Sequence, residues 1–436
     1  MATTAVHPND KFMYEPLLDT ESSVIFFLAE PSVATISFFE SANHKKSFEW
    51  MRERICLICH ANPWLAGRLV KDKKKHKNVL LAVPESITDN DIDAITCSKE
   101  SDLSPISTKI PYNTVSKTVS KSNAMVPEGY KLVGKDTRVS KFTLVPVSSG
   151  ETAFVMSITH AVVDGYTYYK IMSMLTDGAE IESLSFVRKH DFNPKMKQAI
   201  GEEEYKLLTS PSLALSMVSG MLCPKPAIFD ARFVDEEKVK QAKKEATDRC
   251  GNIADDEFAC STNDILTSTF AKATNAGLLL MAINLRNRVK ETNDKDAGNY
   301  EAVVTYDSPS SATPEAIRKS LRGGAPFKRV GGLPLPGLFK LMAGINFAMI
   351  TNWAFPVFKA DMKLLDESGE KNSSIKLHLP IENPAAVIFP VAIIFRPYTG
   401  KLAVLYAGSS RDLPHDRLIS SNAPIGDKVN DLMFAE

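Results

Sequence analysis

The stretch KFTLVPVSSGETAFVMSITHAVVDGYTYYKIMSML, residues 141–175, limits the possible folds of this chain more than any other. Two apolar runs joined by Ser-Ser-Gly predict two strands and a tight turn. The second run leads directly into His160, and a helix is expected to start near Tyr166. A histidine that leaves a strand where the backbone turns is held by a rigid element, which suits a general base presented to a cleft. Gly165 can supply a positive φ there, or allow a ligand to approach closely. On spacing alone, two readings of the His160, Asp164 and Gly165 group are open: a catalytic group, or a strand-end histidine before an ordinary Asp-Gly turn.

Strand and helix patterns alternate along the rest of the chain. SSVIFFLAE reads as a strand, and SFEWMRERICLICHANP as an amphipathic helix stopped by Pro63. LAGRLVKDKKKHKNVLLAV reads as two strands around a charged turn, whose KDKKKHK run fits a solvated hairpin tip better than an anion site. Residues 185–228 carry Pro194, Pro211, Pro224 and Pro226 and are expected to be an irregular crossover between two halves. Beyond it come a charged helix in DEEKVKQAKKEA and a helix opened by Ser261 and Asp264 in capping-box spacing. An apolar strand, GLLLMAINLRNRV, follows, and the strands AAVIFPVAIIF and KLAVLYAG are set for a hairpin through Pro397 to Gly400. Interleaving of this kind in both halves predicts an α/β or α+β chain with two mixed sheets and a ligand cleft between domains.

At 436 residues, two domains of roughly 200 residues each are expected. The 52 basic and 52 acidic side chains balance, so no global field favours nucleic acid. With no secretory pattern at the N-terminus, a cytosolic address is expected, and the six cysteines read as reduced thiols. Cys56 and Cys59 form a C-x-x-C on a helical pattern with no second pair, which fits core packing, and no metal is expected. The sequence lacks G-x-S-x-G, H-E-x-x-H and G-x-G-x-x-G, and Gly332 to Gly337 lacks the Lys-Ser/Thr of a phosphate loop. RKSLRGGAPFKRV is basic and glycine-rich, which suits either an anionic ligand or solvent. The apolar stretch 332–358 is broken by Lys340, Asn346, Asn352 and prolines; it is expected to be a tunnel wall or buried helix rather than a membrane span.

THAVVDG resembles the H-x-x-x-D-G motif of the BAHD and chloramphenicol acetyltransferase superfamily of coenzyme A-dependent acyltransferases. In the same order along the chain, YEPLLD, NPWLAGRLV, STNDIL, INLRNRVKETNDKDAGN and ITNWAFPVFKAD are similar to other elements of that family. The chain departs from the plant enzymes at Asp361-Met362-Lys363-Leu364-Leu365, which keeps only the aspartate of Asp-Phe-Gly-Trp-Gly.

The resemblance implies two similar-sized domains, each a mixed sheet with flanking helices, with an active-site tunnel between them. Residues 1–185 would form the N-terminal domain, 186–228 the crossover and 229–436 the C-terminal domain. It implies that His160 deprotonates a hydroxyl or amine, which attacks the thioester of an acyl-coenzyme A without an acyl-enzyme. Thr351 and Trp353 would lie beside the reacting carbonyl. Asp164 would turn away to pair with an arginine; strand alternation leaves Arg286 and Arg288 on one face, and the family position favours Arg286. Gly165, Ser261 and Asn299 would face the coenzyme. A monomer is expected, with acyl-coenzyme A as co-substrate and no tightly bound cofactor. Two competing readings are a silent member that binds an acyl carrier or hydrophobic ligand, and a condensation-type enzyme that uses carrier-bound acyl groups.

Overall fold

A computed structural model of the chain describes residues 11–22, 32–72, 79–99, 101–147, 150–210, 213, 226–249, 259–322, 324–335, 345–409, 413–420 and 423–435. A small sheet joins β1 (Phe12–Pro16), β4 (Val79–Pro84) and β3 (Arg68–Lys71) in that order. Gly67, just before β3, is required by close approach: a Cβ there would stand 2.7 Å from the Trp64 carbonyl oxygen and 2.8 Å from Leu81 Cδ1. The KDKKKHK tip lies largely outside the described residues, as does most of SSVIFFLAE.

The first large sheet contains β2 (Ser32–Glu40), β5 (Thr96–Cys97), β6 (Ser140–Pro146), β7 (Glu151–Thr159), β12 (Lys363–Leu364) and β13 (Ser373–Pro380), in the order β12-β13-β2-β7-β6-β5. β6 and β7 are antiparallel, as the Ser-Ser-Gly turn predicts. Every residue of β7 is buried, because both faces are covered. Phe154, Met156 and Ile158 enter a core with Met51, Ile55 and Ile58 of α1 (His44–Ala61). Ala153 and Val155 point the other way, into a second core.

That second core joins the two large sheets, since it also holds Ala231, Ile393, Phe395, Ala403 and Leu405. These come from a seven-stranded sheet of β8 (Ala227–Val234), β9 (Leu278–Asn284), β10 (Glu301–Asp307), β11 (Phe347–Asn352), β14 (Val391–Phe395), β15 (Ala403–Ser409) and β16 (Ile425–Lys428). Its order is β10-β9-β11-β14-β15-β8-β16, with β11 parallel to both β9 and β14. β14 and β15 form the expected antiparallel pair. The segment 229–436 is not confined to one sheet: β13 pairs with β2, so its strands β12 and β13 extend the N-terminal sheet.

Among the described residues the remaining α-helices are α2 (Asp89–Ile95), α3 (Tyr112–Lys121), α4 (Gly129–Leu132), α5 (Gly165–Ser173), α6 (Phe192–Ile200), α7 (Glu202–Leu208), α8 (Glu236–Arg249), α9 (Thr262–Thr274), α10 (Pro314–Leu321) and α11 (His415–Leu418). α9 opens with the predicted capping box: Asp264 N donates to Ser261 Oγ at 3.2 Å and Ser261 N to Asp264 Oδ2 at 2.7 Å. Cys59 lies on the buried face of α1, where burial pushes its thiol pKa up.

Three expectations need correction. The crossover is not irregular throughout, because α6 and α7 occupy its first half; Phe192, Met196, Ala199 and Ile200 pack on the seven-stranded sheet, so Pro194 sits in a first helical turn, where its missing N–H costs nothing. The strand in GLLLMAINLRNRV stops at Asn284, and Leu285 accepts bonds from Arg288 N and Val289 N in a turn. Alternation therefore never applied to the two arginines. In the apolar stretch 332–358, residues 336–344 lie outside the described residues, Phe347–Asn352 is strand rather than helix, and Leu333 is exposed.

Candidate active site

His160 is the first residue after β7, held where the fully buried strand ends. Its Nδ1 lies 3.1 Å from Asn299 Oδ1. The Asn299 amide nitrogen faces two acceptors, His160 O at 2.7 Å and Glu21 Oε1 at 3.5 Å, which leaves its oxygen for the ring. An amide oxygen only accepts, so Nδ1 carries the proton and Nε2 keeps its lone pair. This is the tautomer a general base needs.

Glu21 is fully buried and fixes Asn299 in turn. Its carboxylate accepts from Asn299 N at 3.0 Å, Leu18 N at 2.9 Å and Arg188 Nε at 2.9 Å. Arg188 directs three further N–H groups to the carbonyls of Phe186, Ala297 and Val162. Gly298 sits against this pair at φ 136°, with Glu21 Oε1 3.1 Å and Arg188 Cζ 3.2 Å from where a Cβ would stand. Glycine is required on both counts.

Asp164 faces away from the imidazole. It caps α5 by accepting from Thr167 N at 2.9 Å, and its other oxygen accepts from Arg286 Nη1 at 2.6 Å and Tyr300 N at 3.1 Å. The other four N–H groups of Arg286 go to Asp296 O, Asn284 Oδ1, Thr167 Oγ1 and Gly298 O. Arg288, two residues on, is exposed and lines a cleft. The turn after β9, rather than strand alternation, separates the two.

The cleft has a volume of about 360 Å³ and draws on both halves of the chain, with Asp164 and Tyr166 from one and Ser261, Glu301, Thr351 and Phe355 from the other. His160 itself is not among the residues lining the cleft, but Glu301, which is, has Oε1 4.0 Å from His160 Nε2, so the nitrogen left without a proton is the one nearest a residue of the cleft wall. Trp353 is not among the residues lining this cleft. Its ring packs on the start of α5, with Cδ1 and Nε1 each 3.5 Å from where a Gly165 Cβ would stand, and edge-on to Tyr169 at 6.1 Å between centroids. Gly165 has no positive φ, and those contacts are ordinary, so neither strain nor crowding demands glycine there. Ser261 lines the cleft while its hydroxyl serves the α9 cap. Asn299 is buried against His160 rather than set at an open surface.

Sequence reasoning missed Glu21, Arg188 and Glu301. Glu21 follows YEPLLD by two residues, and nothing local marks it as buried; its role depends on Arg188, 167 residues away. In the basic segment RKSLRGGAPFKRV two arginines are already paired, Arg318 of α10 with Asp264 and Arg329 of the loop after it with Glu204. Among the described residues no cluster of His, Cys, Asp or Glu could hold a metal ion. Among them, too, no helix is long and apolar enough to cross a membrane.

No family model matches the chain, and no curated protein matches it in sequence. Solved structures do match in fold. F. graminearum TRI101 complexed with coenzyme A and T-2 mycotoxin is 12% identical over 93% of this chain and 97% of that one, with a TM-score of 0.58. Vinorine synthase is 11% identical over 96% and 95%, with a TM-score of 0.56. The chain shares its fold with both, over almost the whole length of each. The first condensation domain of the CDA synthetase shares it at 11% identity, 92% and 93% coverage and a TM-score of 0.52. A common architecture therefore spans the whole chain, although almost none of the sequence is shared.

Proposed function

We propose that this protein transfers an acyl group from coenzyme A to a hydroxyl or amine of a small-molecule acceptor, with His160 as general base. The observation that carries this reading is the bond from His160 Nδ1–H to Asn299 Oδ1, which leaves Nε2 as a base beside Glu301 of the cleft wall. The acceptor gives its proton to Nε2 as it attacks the thioester carbonyl. The oxyanion collapses, the C–S bond breaks and the imidazolium returns the proton to the thiolate. No acyl-enzyme forms. General-base assistance of this kind contributes about 10²–10⁴-fold.

Thr351, on the cleft wall, has a hydroxyl suited to donate to the oxyanion. Trp353 supports the start of α5 and, through it, the His160 loop. Asp164 and Arg286 hold that loop without touching the reacting atoms. Two structural neighbours support the choice of donor, since both TRI101 structures with T-2 also contain coenzyme A. In this reading the enzyme is a cytosolic monomer that uses acyl-coenzyme A as co-substrate and needs no bound cofactor.

The test is thiol release from acetyl-, malonyl-, aromatic and long-chain acyl-coenzyme A with pooled alcohols and amines, followed by product mass. His160→Ala is expected to stay folded and to lose roughly 10²-fold or more in turnover. Wild-type turnover in that variant would remove His160 from the mechanism, and no release from any donor would remove the reaction.

A further inference from the structure

The two nitrogens of His160 are both addressed from one short segment, Asn299 to Glu301. Asn299 holds Nδ1 from inside the protein, and two residues later Glu301, the first residue of β10, brings a carboxylate oxygen to 4.0 Å from Nε2. The Glu301 side chain is 20% exposed and that of His160 14%, so both are largely removed from solvent while Glu301 remains on the cleft wall. This carboxylate plays no part in the acyl-transfer mechanism above. It stands where the acceptor's nucleophilic atom must bind.

We propose that Glu301 selects the acceptor, and that the acceptor is a primary amine carried on an apolar body; this rests on the acyl-transfer reading. An atom at hydrogen-bond distance, about 2.8 Å, from both Nε2 and Oε1 sees them at nearly a right angle. Both partners are acceptors. A hydroxyl has one proton, so it either serves His160 and turns its lone pairs on the carboxylate, or serves Glu301 and withholds the proton His160 must remove. An ammonium has three N–H groups and satisfies both, and its charge is attracted by the carboxylate in a site with little water. Met281, Ile283, Phe355 and Pro356 line the same cleft and suit an apolar body behind the amine.

The proton balance then gives each group one task. The bound ammonium loses a first proton to the Glu301 carboxylate, which passes it to solvent through the cleft. The neutral amine attacks the thioester carbon, so a C–N bond forms and the carbonyl π pair moves to oxygen. His160 Nε2 takes the second proton from nitrogen. Collapse of the oxyanion breaks the C–S bond, the pair leaves on sulfur, and the imidazolium protonates it. Overall, one alkylammonium and one acyl thioester give one amide, one free thiol and one proton.

Matched amine and alcohol pairs test this, beginning with 2-phenylethylamine and 2-phenylethanol, which differ only at the reacting atom. Calorimetry on the coenzyme A-bound protein should give the amine about tenfold tighter binding, a preference that Glu301→Gln abolishes without changing affinity for the alcohol. Thiol release from acetyl-coenzyme A should follow the same order, with the variant losing amine turnover selectively. Equal affinity of wild type for both members of every pair overturns the proposal. So does a Glu301→Gln variant whose amine and alcohol turnover fall together, since the carboxylate would then act on His160 rather than on the acceptor. Wild type that acylates alcohols alone leaves the acyl-transfer reading standing and sinks the proposal; no thiol release with any acceptor sinks both.

Discussion

Asp164 and Arg286, 122 residues apart in the chain, meet at 2.6 Å with both side chains withdrawn from solvent. All five N–H groups of the guanidinium are bonded, and its plane lies within cation–π distance of Tyr166 and Tyr300, at 4.9 and 5.2 Å. The pair ties the start of α5, and with it the His160 loop, to the turn after β9. Removing one partner leaves the other buried without compensation, at a cost of about 3–5 kcal/mol. Asp164→Asn and Arg286→Ala are each expected to lower both melting temperature and turnover, and the double variant should lose less than the sum. A double-mutant cycle measures this. Additive losses, or coupling of Asp164 to Arg288 instead, would show that the pair is not the unit that holds the loop.

Asn299 allows two outcomes that kinetics separates. As the partner that sets the His160 tautomer, its replacement by alanine should reduce kcat by at least about tenfold with little change in KM for acyl-coenzyme A. If its amide instead served the coenzyme, KM for the acyl donor would rise while kcat held. The bonds to His160 Nδ1 and to the His160 carbonyl argue for the first outcome.

The hairpin and helix of residues 141–175 were legible because their signals are local: two apolar runs, a glycine turn, and Asp164 three residues before the Thr167 N–H it caps. The capping box at Ser261 and Asp264 was legible for the same reason. The Asp164–Arg286 pair needed the family resemblance, because no local spacing links residues 122 apart. Glu21 and Arg188 stayed hidden, since a buried carboxylate looks like a surface one until its distant partner is placed. The crossover misled because its prolines were read as breaks, although a proline in a first helical turn replaces an N–H that has no intrahelical partner. The return of β13 to the first sheet was not legible either, as its alternating pattern does not say which of two sheets it joins.

Thr351→Val keeps the shape of the side chain and removes its hydroxyl. If that hydroxyl meets the developing oxyanion, turnover should fall by up to about 10²-fold while coenzyme A affinity stays near wild type, because the bond is made mainly in the transition state. Pre-steady-state acyl transfer measured beside coenzyme A binding separates the two. A loss of affinity with unchanged chemistry would place Thr351 on the coenzyme rather than on the carbonyl.

His378 is expected to set the acid limit of the fold. It is fully buried on β13, with Nδ1 2.8 Å from Ser37 Oγ and Nε2 3.1 Å from Tyr169 OH, and burial pushes its pKa down to about 3. Tyr169 packs edge-on against Trp353 and, tilted, against Phe355, which lines the cleft, so the neutral histidine lies behind the wall of the candidate site. In the unfolded chain the same imidazole titrates near ~6.5. Between those values the unfolded state holds a proton that the folded state does not, so stability rises with pH. The contribution is fully present above about 6.5, falls by up to about 1.4 kcal/mol per unit as the pH drops, and does not change further below about 3. Denaturant unfolding of wild type and His378→Gln from pH 7.5 to 4 should show a shallower acid decline in the variant, even where its neutral-pH stability is lower. Parallel declines in the two proteins would assign the acid limit to other groups.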